Sequence, residues 1–316
     1  MQKHDDHDNV VLSLIDFKPH CNTISDDNNT DEESSLILNR RLGEKLKYAC
    51  KKFSLNYEQV DKLSIGSCDH IYFSQICKEY NVLVVGNDKS LLFFDLETRK
   101  QVFECRFATT IRYFTINRYD LFLSCQDYKL RRYNLEKIMN KEQLSDCLIW
   151  ESPKLKNIWG FAIQNQLIYV CDFSINGEHL KCFDYSTGAL IDLKNTPKLT
   201  KITHITFSQY NEMFVCGYNF LAKLVLKDDN QWVLKKKVTN FKSSRGLYSI
   251  YYEKSSERIF VTDHSFEIIV FDRNLNQIHT FKDRHSNDKA FAYGINIDEE
   301  TGYSYLSRYS DLIVYK

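Results

Sequence analysis

Six aromatic or imidazole side chains recur along this chain, each near the beginning of a short apolar segment. They are Tyr72, Tyr113, Trp159, His204, Tyr248 and Tyr293. Basic residues precede several of them, at Lys154, Lys156, Lys198, Lys201, Lys242, Arg245 and Arg284. Rings beside cationic groups suit single-stranded nucleic acid, whose bases stack while its phosphates pair with the cations. They equally suit an acidic peptide, because Tyr, Trp and Arg are frequent anchors of protein interfaces.

A second interpretation of the same residues is structural. An aromatic residue repeated once per unit is what packing between units produces, and loop lysines are commonly solvated. Aspartates also recur near the same ends of the units, where they would offset the positive charge. They are Asp88, Asp127, Asp172, Asp263 and Asp311. Both interpretations stay open at the level of sequence.

Residue patterns that would indicate catalysis are missing from the sequence. There is no Gly-x-Ser-x-Gly elbow, no His-Glu-x-x-His pair and no phosphate-binding loop. Asn117, Glu253 and Asn296 resemble the ligands of a metal-dependent lactonase in type, but they do not form an obvious set. We therefore expect no catalytic activity and no cofactor.

A metal site near the N-terminus is an alternative that the spacing does not favour. Its candidate ligands are His4, His7, His20 and Cys21. These positions match no standard zinc finger, and the segment around them is polar. We expect no metal site there.

The elements that position these residues repeat along the chain. Apolar strands begin at Val82, Leu121, Leu167, Met213, Ile259 and Tyr303, at spacings of 39, 46, 46, 46 and 44 residues. An aromatic or aliphatic residue usually follows twelve positions later, at the end of the next strand. A period of about 40–50 residues built from strands and polar turns is the signature of a β-propeller with four antiparallel strands per blade. We therefore predict an all-β chain that forms a single β-propeller.

The N-terminal part decides the predicted number of blades. Residues 1–9 are predicted to be a disordered tail, and residues 54–316 to be propeller repeats. Residues 10–53, with an acidic loop at 22–34, resemble a divergent first blade, although 42–53 also fits one face of a helix. Seven blades are slightly favoured over six; with six, the first sixty or so residues would supply the closing outer strand.

Bulk composition limits the partners and the compartment. Lys+Arg and Asp+Glu both number 42 in 316 residues, so a uniformly basic nucleic-acid-binding protein is not expected. No signal peptide and no membrane-spanning apolar run are evident. Ten cysteines, two of them in a column of small residues at Cys125 and Cys171, indicate packing in a reducing compartment. We expect a cytoplasmic or otherwise intracellular protein with no membrane or DNA partner.

Two repeat families are similar to these units. The stretch 261–272, VTDHSFEIIVFD, resembles an NHL repeat, and Phe94-Asp95, Tyr133-Asn134 and Phe183-Asp184 resemble the end of a WD40 strand. The Gly-His and Trp-Asp pairs of WD40 repeats are absent, and so are most of the Asn and Arg residues of NHL repeats. The resemblance implies a scaffold that binds a protein or peptide, or, for some NHL propellers, a surface for single-stranded RNA. A lactonase-like enzyme is the least favoured alternative.

Overall fold

Short antiparallel strands account for most of the chain that the structure describes. The computed structural model describes residues 53–55, 57–65, 71–173, 180–193, 196–227, 231–239, 241, 246–263, 267–282, 292–308 and 311–316. These residues belong to one compact unit, Cys50–Lys316. The predictions made for residues 1–52, including the tail, the acidic loop and the candidate zinc ligands, lie outside the described residues.

The strands form six four-stranded sheets in this part of the chain. The first strand along the chain is β1 (Gln59–Ser64). Blade 1 consists of β2 (Ile71–Cys77), β3 (Val82–Asn87), β4 (Ser90–Asp95) and β5 (Gln101–Arg106). Blade 2 consists of β6 (Ile111–Asn117), β7 (Asp120–Cys125), β8 (Leu130–Asn134) and β9 (Leu148–Glu151). Blade 3 consists of β10 (Ile158–Gln164), β11 (Leu167–Asp172), β12 (Leu180–Asp184) and β13 (Leu190–Ile191). Blade 4 consists of β14 (Ile202–Phe207), β15 (Glu212–Gly217), β16 (Phe220–Leu226) and β17 (Trp232–Thr239). Blade 5 consists of β18 (Leu247–Glu253), β19 (Arg258–Asp263), β20 (Glu267–Phe271) and β21 (Gln277–Lys282). Blade 6 consists of β22 (Ala292–Asp298), β23 (Tyr303–Arg308), β24 (Asp311–Tyr315) and β1.

Burial along each blade explains why these sequences form these strands. The second strands, such as Val82–Asn87, are buried along nearly their whole length because both of their faces pack against neighbouring blades. Their apolar runs are therefore continuous. The fourth strands lie at the edge of each sheet and are largely exposed. Most of them carry one bulge, as at Val102 and Ile278, which interrupts the regular edge that another strand could pair with.

The six first strands of the blades line a central channel and contact one another around a closed ring. Each of β2, β6, β10, β14, β18 and β22 contacts the next, and β22 contacts β2 directly. A seventh blade would have to stand between β22 and β2, where there is no space for one. The chain is therefore a six-bladed β-propeller, and the slight preference for seven blades was wrong.

The ring is closed by a strand from the other end of the sequence. The outer strand of blade 6 is β1, which pairs antiparallel with β24 from Gln59 opposite Tyr315 to Ser64 opposite Asp311. Two backbone hydrogen bonds between Glu58 and Lys316, of 3.3 and 2.9 Å, extend this pairing. The alternative of six blades is the one that the structure shows. That alternative assigned the closing outer strand to the first sixty or so residues, and the strand lies at their end, at Gln59–Ser64.

A short segment before β1 binds to blade 5 and so connects the closing strand to that blade. The Phe53 amide donates to Glu253 Oε1 at 2.8 Å, and Arg258 Nη2 donates to the Phe53 carbonyl at 2.7 Å. The Phe53 ring is buried against Phe260, and Tyr57 stacks on Phe281 with ring centroids 4.1 Å apart. We call residues 53–65 the clasp, because this segment joins blades 5 and 6.

Helices are minor elements of the described chain. Blade 2 inserts α1 (Leu135–Met139) and α2 (Leu144–Cys147) before its outer strand. The Asn134 side chain caps α1 by accepting from the Lys137 amide at 3.0 Å. Across the described ranges, no helix has the length and apolarity that crossing a membrane requires.

Candidate binding site at the channel mouth

One extra residue at the start of each inner strand builds the mouth of the channel. Where β2 pairs with β3, Ile71 lies opposite Asn87 and Phe73 lies opposite Gly86, so the register skips Tyr72 and the strand bulges there. Four of the other inner strands skip one residue at the same point, and β10 skips Trp159 and Gly160 there. The six mouth residues are Tyr72, Arg112, Trp159, Thr203, Tyr248 and Tyr293.

Four aromatic rings form an arc around this mouth. Tyr72 and Tyr293 have ring centroids 5.4 Å apart, and Tyr293 and Tyr248 have centroids 5.5 Å apart, both pairs edge to face. Trp159 continues the arc from Tyr248 at 6.1 Å, across the small Thr203 side chain of the intervening blade. The arc encloses a cavity of about 220 Å³. We call this cavity the mouth chamber.

Arg112 fills the gap in the arc between Tyr72 and Trp159, because β6 lies between β2 and β10. Its guanidinium carbon lies 5.9 Å from the centroid of the Tyr128 ring. Burial and the nearby Asp88 carboxylate raise the pKa of Tyr72 to about 12, and the positive charge of Arg112 opposes this rise. The Tyr72 hydroxyl donates to Asp88 at 3.4 Å. The chamber thus has aromatic walls and one cationic group.

A cluster of three rings closes the floor of the mouth chamber. The next residue along each inner strand is Phe73, Tyr113 or His204 in three blades, and a small Gly160, Ser249 or Gly294 in the other three. Ring centroids are 4.6 Å apart for Phe73–Tyr113 and 4.8 Å apart for Tyr113–His204. We call Phe73, Tyr113 and His204 the plug, because these side chains fill the middle of the channel.

The small residues leave the space that the plug occupies. A Cβ atom on Gly160 would lie 2.4 Å from His204 Cδ2 and 2.8 Å from the Thr203 carbonyl oxygen. A Cβ atom on Gly294 would lie 2.9 Å from Phe73 Cδ1. All three distances are shorter than a van der Waals contact. The small residues in three of the six blades therefore permit three rings to meet at one level.

Hydrogen bonds fix the protonation state of His204. Its Nδ1 accepts from the Ile250 amide at 3.0 Å, so the proton of the neutral ring lies on Nε2, 2.6 Å from the Tyr113 hydroxyl. The His204 side chain is only 6% exposed. Burial lowers its pKa from 6.5 to about 3, because a charged imidazolium would lose its hydration there. The plug is therefore held together by a neutral imidazole.

A second, larger cavity lies on the other side of the plug. It encloses about 330 Å³ and is lined by polar residues that include Gln75, Thr115 and Asn296. The Gln75 amide makes two hydrogen bonds to the backbone of Ile116, at 2.7 and 2.9 Å, and so joins two inner strands. Part of the polar lining of this cavity therefore connects neighbouring blades by hydrogen bonds.

Two of the three residues considered for lactonase-like chemistry have structural partners, and the third, Asn296, lines the cavity below the plug. Asn117 Nδ2 donates to the Tyr185 hydroxyl at 3.2 Å. Glu253 is fully buried and binds Arg258 and the Phe53 amide. Among the described residues, no three His, Cys, Asp or Glu side chains lie close enough together to hold a metal ion.

The predicted mouth residues divide into two levels. Tyr72, Trp159, Tyr248 and Tyr293 line the mouth chamber. Tyr113 and His204 lie one position further along their strands, in the plug, and contribute to the lining of the cavity below it. In blades 2 and 4 the mouth positions are taken by Arg112 and Thr203, which the search for aromatics missed. One signal could have found them: a buried Ile, Leu or Ala directly precedes all six mouth residues.

The predicted basic residues are exposed wherever the structure describes them. Lys154, Lys156, Lys198 and Lys201 are solvent-exposed, and Lys201 Nζ lies 5.2 Å from the ring centroid of Tyr218. Lys242, Arg245 and Arg284 lie outside the described residues. Their contribution to binding remains a prediction.

Most of the aspartates expected to offset this charge are engaged elsewhere. Asp172 and Asp263 are buried and accept the backbone amides of Asn157 and Glu267, at 2.8 and 2.9 Å. Asp127 pairs with Arg131, and Asp311 pairs with Lys62 at 2.8 Å. Asp88 contacts the chamber wall through its hydrogen bond with Tyr72.

No protein-family model and no curated protein sequence matches the chain. The function must therefore be inferred from the geometry of the described residues. They form six four-stranded blades around a plugged channel, with an aromatic chamber at one mouth.

Proposed function

We propose that this protein is a non-catalytic scaffold that binds a protein or peptide partner across its channel-mouth face. The observation that carries the proposal is the arc of Tyr72, Tyr293, Tyr248 and Trp159, closed by Arg112, around an open chamber. Tyr, Trp and Arg supply most of the strong anchors at protein interfaces. The plug supports this proposal, because it gives the chamber a floor.

Two finer proposals accompany this one. The repeats are divergent relatives of WD40 and NHL repeats, which the four-stranded blades and the aromatic–acid pairs, such as Phe94-Asp95, support. The protein acts in a reducing, intracellular compartment, which is supported by the seven described cysteines: all are buried and none is in a disulfide.

Affinity purification with matched surface variants tests the binding proposal. Wild-type protein, Tyr248→Ala and Tyr119→Ala are each used as bait in native lysate, and recovered proteins are quantified by mass spectrometry. Tyr248 lies at the mouth, whereas Tyr119 is 56% exposed at the turn between β6 and β7, at the opposite end of the channel. We expect partners that Tyr119→Ala retains and Tyr248→Ala loses, with both variants folded by circular dichroism. Partners retained equally by both variants would place the interface elsewhere.

Single-stranded RNA is a second candidate ligand of the same face. It is supported by the exposed Tyr218 ring, which is 41% accessible and has the Lys201 ammonium beside it. Gel shifts with random single-stranded RNA at two salt concentrations test it, because phosphate contacts make affinity fall steeply with salt. The absence of a shift at low salt would end this proposal.

A further inference from the structure

The mouth chamber is too small for an extended ligand. Its volume of about 220 Å³ is below the range of roughly 300–1,000 Å³ that is usual for drug-sized ligands. The plug prevents anything from passing further into the channel. Whatever binds across the face can therefore insert one side chain, and the chemistry of the chamber determines which one.

Arg112 lacks the carboxylate partner that five other partly buried arginines of the described chain have. Those pairs are Arg99 with Asp61, Arg131 with Asp127, Arg132 with Asp120, Arg258 with Glu253 and Arg273 with Glu212. Within the described ranges, the Arg112 guanidinium makes no ion pair. It lies beside the Tyr128 ring, and its positive charge opposes the rise in the pKa of Tyr72. It is therefore a fork of hydrogen-bond donors that has no acceptor of its own.

Charge around the chamber favours an anion over a cation. Aromatic walls alone would also suit an ammonium group, which is attracted to ring faces. A guanidinium in the same wall repels an ammonium at short range. Exposed Lys154, Lys198 and Lys201 add positive charge on the same face. Of the aspartates there, Asp172 and Asp263 are buried in backbone hydrogen bonds, and Asp88 accepts a hydrogen bond from the Tyr72 hydroxyl at 3.4 Å.

The geometry of the rings favours an aliphatic stem over a nucleotide base. Tyr72–Tyr293 and Tyr248–Tyr293 meet edge to face, at 63° and 87° between ring planes. Rings arranged in this way present a curved apolar wall instead of a flat platform on which successive bases could stack. Methylene groups pack on such a wall without a preferred orientation.

On these observations, and resting on the proposed function, we propose that the mouth chamber accepts one acidic side chain, an aspartate or a glutamate, from a partner peptide. Its methylene stem lies against Tyr72, Tyr248 and Trp159, and its carboxylate pairs with the Arg112 guanidinium. The exposed lysines on the same face bind further acidic residues on either side of this anchor.

Selection from a random peptide library identifies the probe for the test. The full chain is immobilised, a phage library of random dodecapeptides is panned against it, and the selected sequences are aligned. We expect them to share one Asp or Glu. One selected peptide is then titrated, with tryptophan fluorescence as the signal, against wild-type protein, Arg112→Gln and Arg118→Gln. Arg118 is an exposed arginine at the other end of the same hairpin, so it is the matched control.

The titration should show that Arg112 and the shared acid act on each other. We expect Arg112→Gln to weaken binding by about tenfold or more, because a charge-assisted pair is lost. Replacing the shared acid by its amide should cost a similar factor in wild-type protein and little in Arg112→Gln, and Arg118→Gln should bind as wild type does. Arg112→Lys, which keeps the charge but loses the fork, should be intermediate and serves if Arg112→Gln does not fold.

The possible failures are distinguishable. If peptides are selected but share no acid, share a basic residue or bind Arg112→Gln as well as wild type, this inference is overturned and the proposed function stands. If random single-stranded RNA displaces the peptides and depends on Arg112, the chamber is a nucleotide site and the inference is also overturned. If no peptide is selected, the inference and the peptide-binding function fail together.

Discussion

The neutral His204 in the plug predicts a specific dependence of stability on pH. Its pKa is 6.5 in an unfolded chain and about 3 in the folded protein. Between these values the unfolded state binds one more proton than the native state, so stability falls as pH decreases below 6.5. From pH 7.5 to pH 5.0, the two pKa values give a loss of about 2 kcal/mol in the free energy of unfolding from this residue alone.

His204→Asn isolates this contribution from those of the other histidines. Asparagine does not titrate, and its amide oxygen offers an acceptor to the Ile250 amide that His204 Nδ1 accepts from at 3.0 Å. The variant loses ring contacts and is less stable than wild type at pH 7.5. That difference should shrink by about 2 kcal/mol at pH 5.0, because only the wild type loses the His204 contribution.

Urea unfolding at pH 7.5, 6.0 and 5.0 measures this difference. Tyr113→Phe is the matched control: it removes the hydroxyl 2.6 Å from His204 Nε2 but leaves the imidazole buried. It should lose as much stability as wild type does when the pH falls. A gap between wild type and His204→Asn that stays constant across this range would refute the reasoning, because the imidazole would then be reached by water and the channel would not be plugged there.

Three further predictions concern the plug and the closure of the ring. Gly160→Ala should lower the free energy of unfolding by about 1–3 kcal/mol, because the new methyl group overlaps His204 and a backbone oxygen. Ser249→Ala, at the same level of the channel, should have a smaller effect, and equal losses would contradict the packing described. Phe53→Ala should lower the free energy of unfolding, measured by chemical denaturation, by about 3–5 kcal/mol, because its ring is buried in the clasp. A loss below about 1 kcal/mol would show that the clasp does not hold blades 5 and 6 together. Glu253→Gln should lower the free energy of unfolding by about 3–5 kcal/mol, because it leaves Arg258 largely buried without its carboxylate partner. Glu104→Gln breaks a pair with the exposed Arg106 and should leave the thermal midpoint unchanged, and equal effects of the two variants would contradict the difference in burial.

The sequence predicted the blades well because their strands carry a strong signal. The second strand of each blade is apolar along its length, and the polar turn and strand that follow have a nearly constant length, so the repeat is visible without coordinates. Closure of the ring has no such signal. The segment 59–64, QVDKLS, is short and largely polar, and only its pairing with β24 identifies it as the last strand. The resemblance of residues 10–53 to a blade therefore favoured the prediction of seven blades.

The candidate site could be predicted only in part. Four of the six mouth residues are aromatic, and the recurring aromatic pattern in the sequence predicted them. Arg112 and Thr203 were missed because Tyr113 and His204, each one position later, matched the aromatic pattern better. The bulge that shifts these strands by one position is a property of strand pairing and leaves little trace in the sequence. The plug could not be predicted either, because Phe73, Tyr113 and His204 come from three different blades.

The central claim is that partners bind at the mouth of the channel, and hydrogen–deuterium exchange of the complex tests it most directly. The protein is measured alone and with a partner recovered by affinity purification or with a selected peptide. Binding at the mouth should slow exchange at the starts of the inner strands, around Tyr72, Arg112, Trp159 and Tyr248. It should cause no change at Arg118 and Tyr119, at the opposite end of the channel. Protection confined to that opposite end, or to the outer strands, would show that partners bind elsewhere.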